Sequence, residues 1–343
     1  MARKKSSYRT MNKIEPAVQT MVFEIPLTGD GAIDQLTIDL SQCASLLNRR
    51  FYRQGINWAV SGMKYLSGEY TGLIAVEKLP ETWVMSNSWE KGFRNWQRMN
   101  NEALSESESV RPRFLDFKIY ADADHHAAGF GANLLPGVFA PAYLAATAGE
   151  WESSKYVIPL GNQDPGDTEE FEVIATGPSY PGNAPISGLN AVSLIEGYAS
   201  SRGLPNVLDP NAPADAADSQ GIDPENWLQA LFNEGTDQSK NVLEDMISEN
   251  NIAPYPFEND GVNPDTMYPG GANQLPGLQF HDLELVTGTT IGGTSRLKGG
   301  MFPCGLIRLQ ATKNELGASL ATLIIELVPG SHRGYLCEPM TEM

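Results

Sequence analysis

The sequence is poor in the residues that carry most enzyme chemistry: it has four histidines and three cysteines in 343 residues. Cys43, Cys304 and Cys337 are odd in number and far apart. That excludes a disulfide framework and a zinc knuckle, and reads as three buried or scattered thiols kept reduced. No run of about 18 apolar residues exists, so no membrane-crossing helix is expected. The basic N-terminal stretch Met1–Arg9 has no apolar run behind it and does not read as a signal peptide. The P-loop, nucleophile-elbow and zincin signatures are all missing. Gly288, Gly292 and Gly293 look superficially like a phosphate loop. No lysine follows in the needed place and no helix is expected after them, so they read as a β-turn.

Positive charge is also scarce beyond the first third. Residues 1–120 hold 16 Lys and Arg against 13 Asp and Glu, net +3, whereas residues 121–343 hold 8 against 29, net −21. The first 13 residues carry Arg3, Lys4, Lys5, Arg9 and Lys13 and no acid. An acidic body with a short basic tail implies two faces with different partners.

What is abundant is turn chemistry. Gly 33 and Pro 23 exceed average usage and point to many turns and long loops, as in all-β folds. Strands are predicted at Met21–Leu27, Ile56–Leu66 and Thr71–Leu79, the last two as partners, and at Phe114–Tyr120, Tyr156–Leu160 and Phe171–Ala175. Further strands are predicted at Leu278–Thr287, Gly305–Thr312 and Ala321–Val328. Asp39–Asn48 reads as a short helix with an Asp or Ser cap. Asn87, with Glu90 three residues on, forms a capping signal that predicts a helix to about Ala103. Trp89, Phe93 and Trp96 share one face of it and Lys91, Arg94 and Arg98 another. Strands and helices do not alternate regularly, which disfavours a parallel α/β sheet.

The predicted fold is therefore all-β: a single jelly-roll β-sandwich of two antiparallel sheets, with helices in the connecting loops and a long loop insertion. Residues 1–18 form a basic arm, 19–177 the first part of the sandwich, 178–275 a loop-rich acidic insertion with short helical pieces, and 276–343 the last strands and C-terminal tail.

Three kinds of site emerge. Asp122, Asp124, His125 and His126 form the one local cluster with ligand chemistry for a divalent metal, or they cap the turn after the strand ending at Tyr120. Asp164–Glu170 and Glu258–Gly261 are rich in hard oxygen ligands outside the EF-hand register, and calcium could sit between subunits. Two basic–aromatic patches remain: Arg49, Arg50 and Arg53 interleaved with Phe51 and Tyr52, and the helix face of Lys91, Arg94 and Arg98. Cations neutralise phosphates and aromatic rings stack on unpaired bases. Together with the arm, Arg49, Arg50 and Arg53 make the candidate nucleic-acid surface.

Three segments carry a family likeness: Asn48–Val60, Ser86–Phe93, and Thr287–Gly293 with Phe302–Leu306. Over about residues 20–312 the chain resembles capsid (coat) proteins of environmental circular Rep-encoding single-stranded DNA viruses. The resemblance implies a single jelly-roll subunit, many self-associating copies per icosahedral shell, non-specific packaging of circular single-stranded DNA, and a place in the virion. A host receptor would be a further partner; membrane insertion and catalysis would play no part. The chain departs from many such proteins in having a short basic arm, Arg3 to Lys13, and a strongly acidic total. The competing class is a lectin-like β-sandwich binding module whose acidic loops hold calcium.

Overall fold

Alternation of apolar and polar residues decides the architecture, because each strand that shows it buries one face. The computed structural model describes residues 16–68, 70–105, 109, 115–139, 143–159, 168–202, 277–288 and 293–343. Its first elements are β1 (Thr20–Leu27), β2 (Ile33–Asp39), α1 (Leu40–Asn48), β3 (Ile56–Leu66), β4 (Gly72–Lys78) and α2 (Trp83–Ser105). Next come α3 (Ala123–Ala128), β5 (Gly137–Phe139), β6 (Tyr143–Ala145), β7 (Lys155–Pro159), β8 (Thr168–Ile174), β9 (Ala191–Ser193) and α4 (Leu194–Arg202). The last are β10 (Gln279–Val286), β11 (Thr294–Phe302), β12 (Leu306–Lys313), β13 (Ser319–Leu327), β14 (Pro329–Gly330), β15 (Gly334–Tyr335) and β16 (Cys337–Pro339).

Two antiparallel sheets face each other. One runs β1-β13-β3-β11, with β16 also pairing to β3; the other runs β10-β4-β12-β2. Met21, Phe23, Ile25 and Leu27 of β1 point into the space between the sheets and meet Leu323 and Ile325 of β13. From the opposite sheet Ile38, Ile74, Val76, Ile307 and Leu309 complete that core. Each such side chain contributes about 1.5–3 kcal/mol by leaving water. The mainly β, antiparallel sandwich expected from the sequence is therefore present, with helix in the connections.

The eight strands of the two main sheets, counted along the chain, follow the order 1-8-3-6 in one sheet and 5-4-7-2 in the other. Strands from opposite ends of the chain pair, first with last: Thr20 lies opposite Glu326 and Ile33 opposite Thr312.

Several local expectations are corrected. β3 and β4 are neighbours in sequence but lie in different sheets: β3 pairs with β11 and β13, and β4 with β10 and β12. Leu66, the last residue of β3, and Gly72, the first of β4, therefore lie in different sheets, and the two strands do not form a hairpin. The stretches around Tyr156 and Phe171 do form strands, β7 and β8, but these join β9 in a small side sheet, with β8 and β9 parallel. That sheet, α2 and α4 enclose a second apolar core around Phe117, Tyr156, Phe171 and Tyr198. The stretch expected as a strand up to Tyr120 is irregular over 115–119, with a single parallel bridge from Tyr120 to Ile174.

α2 begins at Trp83, four residues before the Asn87 signal, because the Thr82 carbonyl accepts from Ser86 N–H at 3.1 Å and opens the helix earlier. The segment set aside as an insertion from 178 is part of the body for its first turn: Ala191, Val192, Leu194, Ile195 and Tyr198 are buried. Residues 203–276 lie outside the described residues.

Candidate nucleic-acid interface

α1 brings the Arg49–Arg53 patch to one pole of the sandwich. Asp39 caps its start, its carboxylate accepting from the backbone N–H of Ser41 and Gln42 at 2.9 and 3.2 Å. Burial raises the Asp39 carboxyl, while bonds from Ser41, Gln42, Gln54 and Trp151 oppose the rise. At the other end Arg49 takes left-handed backbone, φ 51°, at a cost of about 1 kcal/mol for a non-glycine residue. That turn leaves Arg49, Arg50 and Arg53 exposed and Tyr52 and Gln54 buried.

The buried residues anchor the loop. Tyr52, Trp58 and Tyr335 pack ring against ring with centroids 5.4–6.0 Å apart. Gln54 accepts from Ile119 N–H at 2.7 Å and donates to Asp39 at 3.1 Å. Its own N–H donates to the Asp116 carboxylate at 3.1 Å. Burial pushes the Asp116 carboxyl up to about 6 despite the neighbouring Lys118 ammonium. Lys118 in turn lies over the rings of Trp151 and Phe51, at 4.5 and 5.9 Å.

The chain enters the described body beside this loop. Val18 N–H donates to Asn48 Oδ1 at 2.9 Å, and the Tyr335 hydroxyl donates to the Val18 carbonyl at 2.6 Å. Gln19 donates to the Gly334 carbonyl at 3.0 Å. The arm residues Arg3, Lys4, Lys5, Arg9 and Lys13 lie outside the described residues, but the strand that follows them starts at the pole where Arg49 and Arg50 stand. The C-terminal hairpin β14–β15 adds His332 and Arg333 to the same place, which sequence reading missed. The Tyr52 hydroxyl donates to the Arg333 carbonyl at 3.0 Å, and Arg333 Nη1 donates to the Phe51 carbonyl. The only local signal was Arg333 before Gly334, a cation in a tight turn.

The other basic face behaves differently. Arg94 pairs with Glu90 one helical turn away, and Lys91 lies over the Tyr198 ring at 5.5 Å, so α2 consumes part of its own charge.

The Asp122–His126 cluster folds into α3, where its members have separate partners. Asp122 caps the helix through His125 N–H at 2.9 Å and pairs with the buried Arg308. His125 Nδ1 accepts from Ala121 N–H at 3.0 Å, so Nε2 carries the proton and donates to Asn133 at 2.8 Å. Burial pushes His125 down to about 3, and nearby Arg308 and His126 add to the shift. His126 Nε2 meets Glu172 at 2.8 Å. Burial pushes the Glu172 carboxyl up, but bonds from His126, Ser187 and Ser153 outweigh it and hold it below the usual carboxylate range. Asp124 is 4.0 Å from Arg308, at a cavity of about 110 Å³ that His125 and Asn133 also line. Among the described residues no group of three or more His, Cys, Asp or Glu is arranged to hold a metal ion. Of the acidic calcium candidates, Glu170 pairs with Lys155 at 3.0 Å; Asp164, Asp167 and Glu258–Gly261 lie outside the described residues.

No family model, curated protein or solved structure matches the chain.

Proposed function

We propose that this chain is a viral coat subunit: a single jelly roll that self-assembles into a small icosahedral shell around a circular single-stranded DNA genome. The observation that carries the reading is the strand order 1-8-3-6 over 5-4-7-2, which is what a long hairpin gives when it is rolled up and closed on itself. Such a body is closed except at a few edges and puts its connections at its ends, where neighbouring copies and cargo meet. In this reading the arm and the Arg49–Arg53 loop hold the genome through its phosphates without sequence preference. The acidic residues elsewhere keep the particle soluble, and calcium between subunits offsets their repulsion. The chain has no catalytic role, and the virion is its place.

Negative-stain microscopy and light scattering of the purified chain, with calcium and with chelator, test this reading. Uniform closed shells are the expected result. A monodisperse monomer that binds a glycan in a calcium-dependent way would replace it with the lectin-like alternative.

A further inference from the structure

We propose that Arg333 is a direct phosphate contact on the same single-stranded nucleic-acid surface as Arg49 and Arg53. The inference rests on the nucleic-acid reading of that loop and adds to it a residue from the opposite end of the chain. Arg333 stands in the turn between β14 and β15, exposed, with left-handed backbone at φ 50°. Two bonds fix it to the arginine loop: its Nη1 donates to the Phe51 carbonyl, and its own carbonyl accepts from the Tyr52 hydroxyl at 3.0 Å. A guanidinium has five N–H donors, so one bond to a carbonyl leaves most of its fork to face solvent.

The electrostatics agree. His332 is half-buried; its imidazole is pushed down first by burial and then by two cations, Arg333 and Arg53. The bonds of Arg333 to Phe51 and Tyr52 set it beside the loop segment that carries Arg53. Among the described residues Arg49, Arg53 and Arg333 make no ion pair with a carboxylate. The segments 46–54 and 329–336 contain no acid, in a chain of net charge −18. The two carboxylates bonded to Gln54, Asp116 and Asp39, are turned inward, Asp116 to Gln54 N–H and Lys118 and Asp39 to the start of α1 and Gln54 Nε2. Like charges gathered without counter-charge repel one another, and a polyanion relieves that repulsion. Phe51 and Trp151, both half-buried with Lys118 over their rings, bring aromatic side chains of the kind that unpaired bases stack on beside this surface.

The test measures binding of labelled (dT)30 to the full chain by fluorescence anisotropy across a salt series. Arg333→Gln keeps a donor for the Phe51 carbonyl but removes the charge; Arg333→Lys keeps the charge. Thermal melts verify that each variant is folded. The expected result is weaker binding by Arg333→Gln, with the log–log salt slope reduced by about 0.7, the value of one single-strand phosphate contact, and near-normal binding by Arg333→Lys. Unchanged binding by Arg333→Gln, alongside loss in Arg49→Gln/Arg53→Gln, overturns the role of Arg333 and leaves the loop reading standing. No (dT)30 binding by the wild-type chain overturns both. So does Arg333-dependent binding of heparin with none of (dT)30.

Discussion

Tyr52 and Arg333 are 281 positions apart, yet the hydroxyl of one donates to the carbonyl of the other at 3.0 Å. That bond ties the loop after α1 to the C-terminal hairpin beneath the exposed arginines. Tyr52→Phe keeps the ring packed on Trp58 and Tyr335 and removes the hydroxyl. The expected cost is about 1 kcal/mol in urea unfolding, the usual worth of one such bond. A cost near zero would mean that this bond adds nothing to the contacts that Arg333, Gly334 and Tyr335 already make with the loop and the entering strand.

Arg308 is a buried cation, 3% exposed, paired with Asp122 and donating to Thr37 Oγ1 at 3.0 Å. Replacing one member of a buried pair strands the other. Arg308→Met should destabilise by about 2–3 kcal/mol, somewhat less than for a fully enclosed pair because Asp122 is partly exposed. The double variant Arg308→Met/Asp122→Asn should recover part of that loss, and a double-mutant cycle from denaturant curves measures how much. Strict additivity would mean that the two groups do not interact.

Acid should weaken the fold through His125 and strengthen it through Asp116. His125 titrates near 3 when folded and 6.5 when free, so between those values only the unfolded chain takes the proton, and stability falls as pH drops through that window. At about 1.4 kcal/mol per pH unit, this reaches about 4–5 kcal/mol. Asp116 titrates near 6 when folded and 3.8 when free, so it does the reverse between those values, by up to about 3 kcal/mol. The His125 effect is larger and begins at higher pH, so these two groups together give a net loss on acidification. Asp116→Asn removes the opposing effect. Its stability should fall more steeply than that of wild type between pH 7 and 4, by about 2–3 kcal/mol in urea titrations at stepped pH. A shallower fall would contradict the assignment.

Deleting residues 2–13 removes Arg3, Lys4, Lys5, Arg9 and Lys13 and leaves the described body untouched. On the coat reading, shells should still form but should carry much less nucleic acid, judged by the ratio of absorbance at 260 to 280 nm in purified particles. Packaging at the wild-type level would show that the arm is dispensable for the genome.

Local pattern told most where one residue run decides one element. β3 occupies Ile56–Leu66 as expected, because its alternation is framed by Gly55 on one side and Ser67–Gly68 on the other. Its partner was misjudged because pairing depends on sheet order, and adjacent sequence carries no mark of a crossing between sheets. β2 and β11 were missed for compositional reasons. Ile33–Asp39 interleaves its apolar residues with acids and amides, and Thr294–Phe302 holds two glycines. One of these, Gly299, sits opposite β3 in a register that runs unbroken from Thr294 to Phe302, and a Cβ there would come within 2.4 Å of the Val60 and Ser61 carbonyls. Two adjacent glycines inside a strand read as a turn in sequence. At the basic pole, Arg49, Arg50 and Arg53 were visible as a run. Arg333 was not, because only the closure of the chain carries it there.

The partner of β1 in its sheet is β13, about 300 positions further along. A ribosome therefore releases the first strand long before the strand that will cover it has been made. Until Ser319–Leu327 emerges, one edge of β1 is unpaired and its four inward apolar side chains lack their neighbours on β13. Contacts of such long separation form slowly and leave edges open to other chains meanwhile. Any product that stops before residue 319 lacks the closing strand altogether, so completion of synthesis itself gates which copies can reach the folded state.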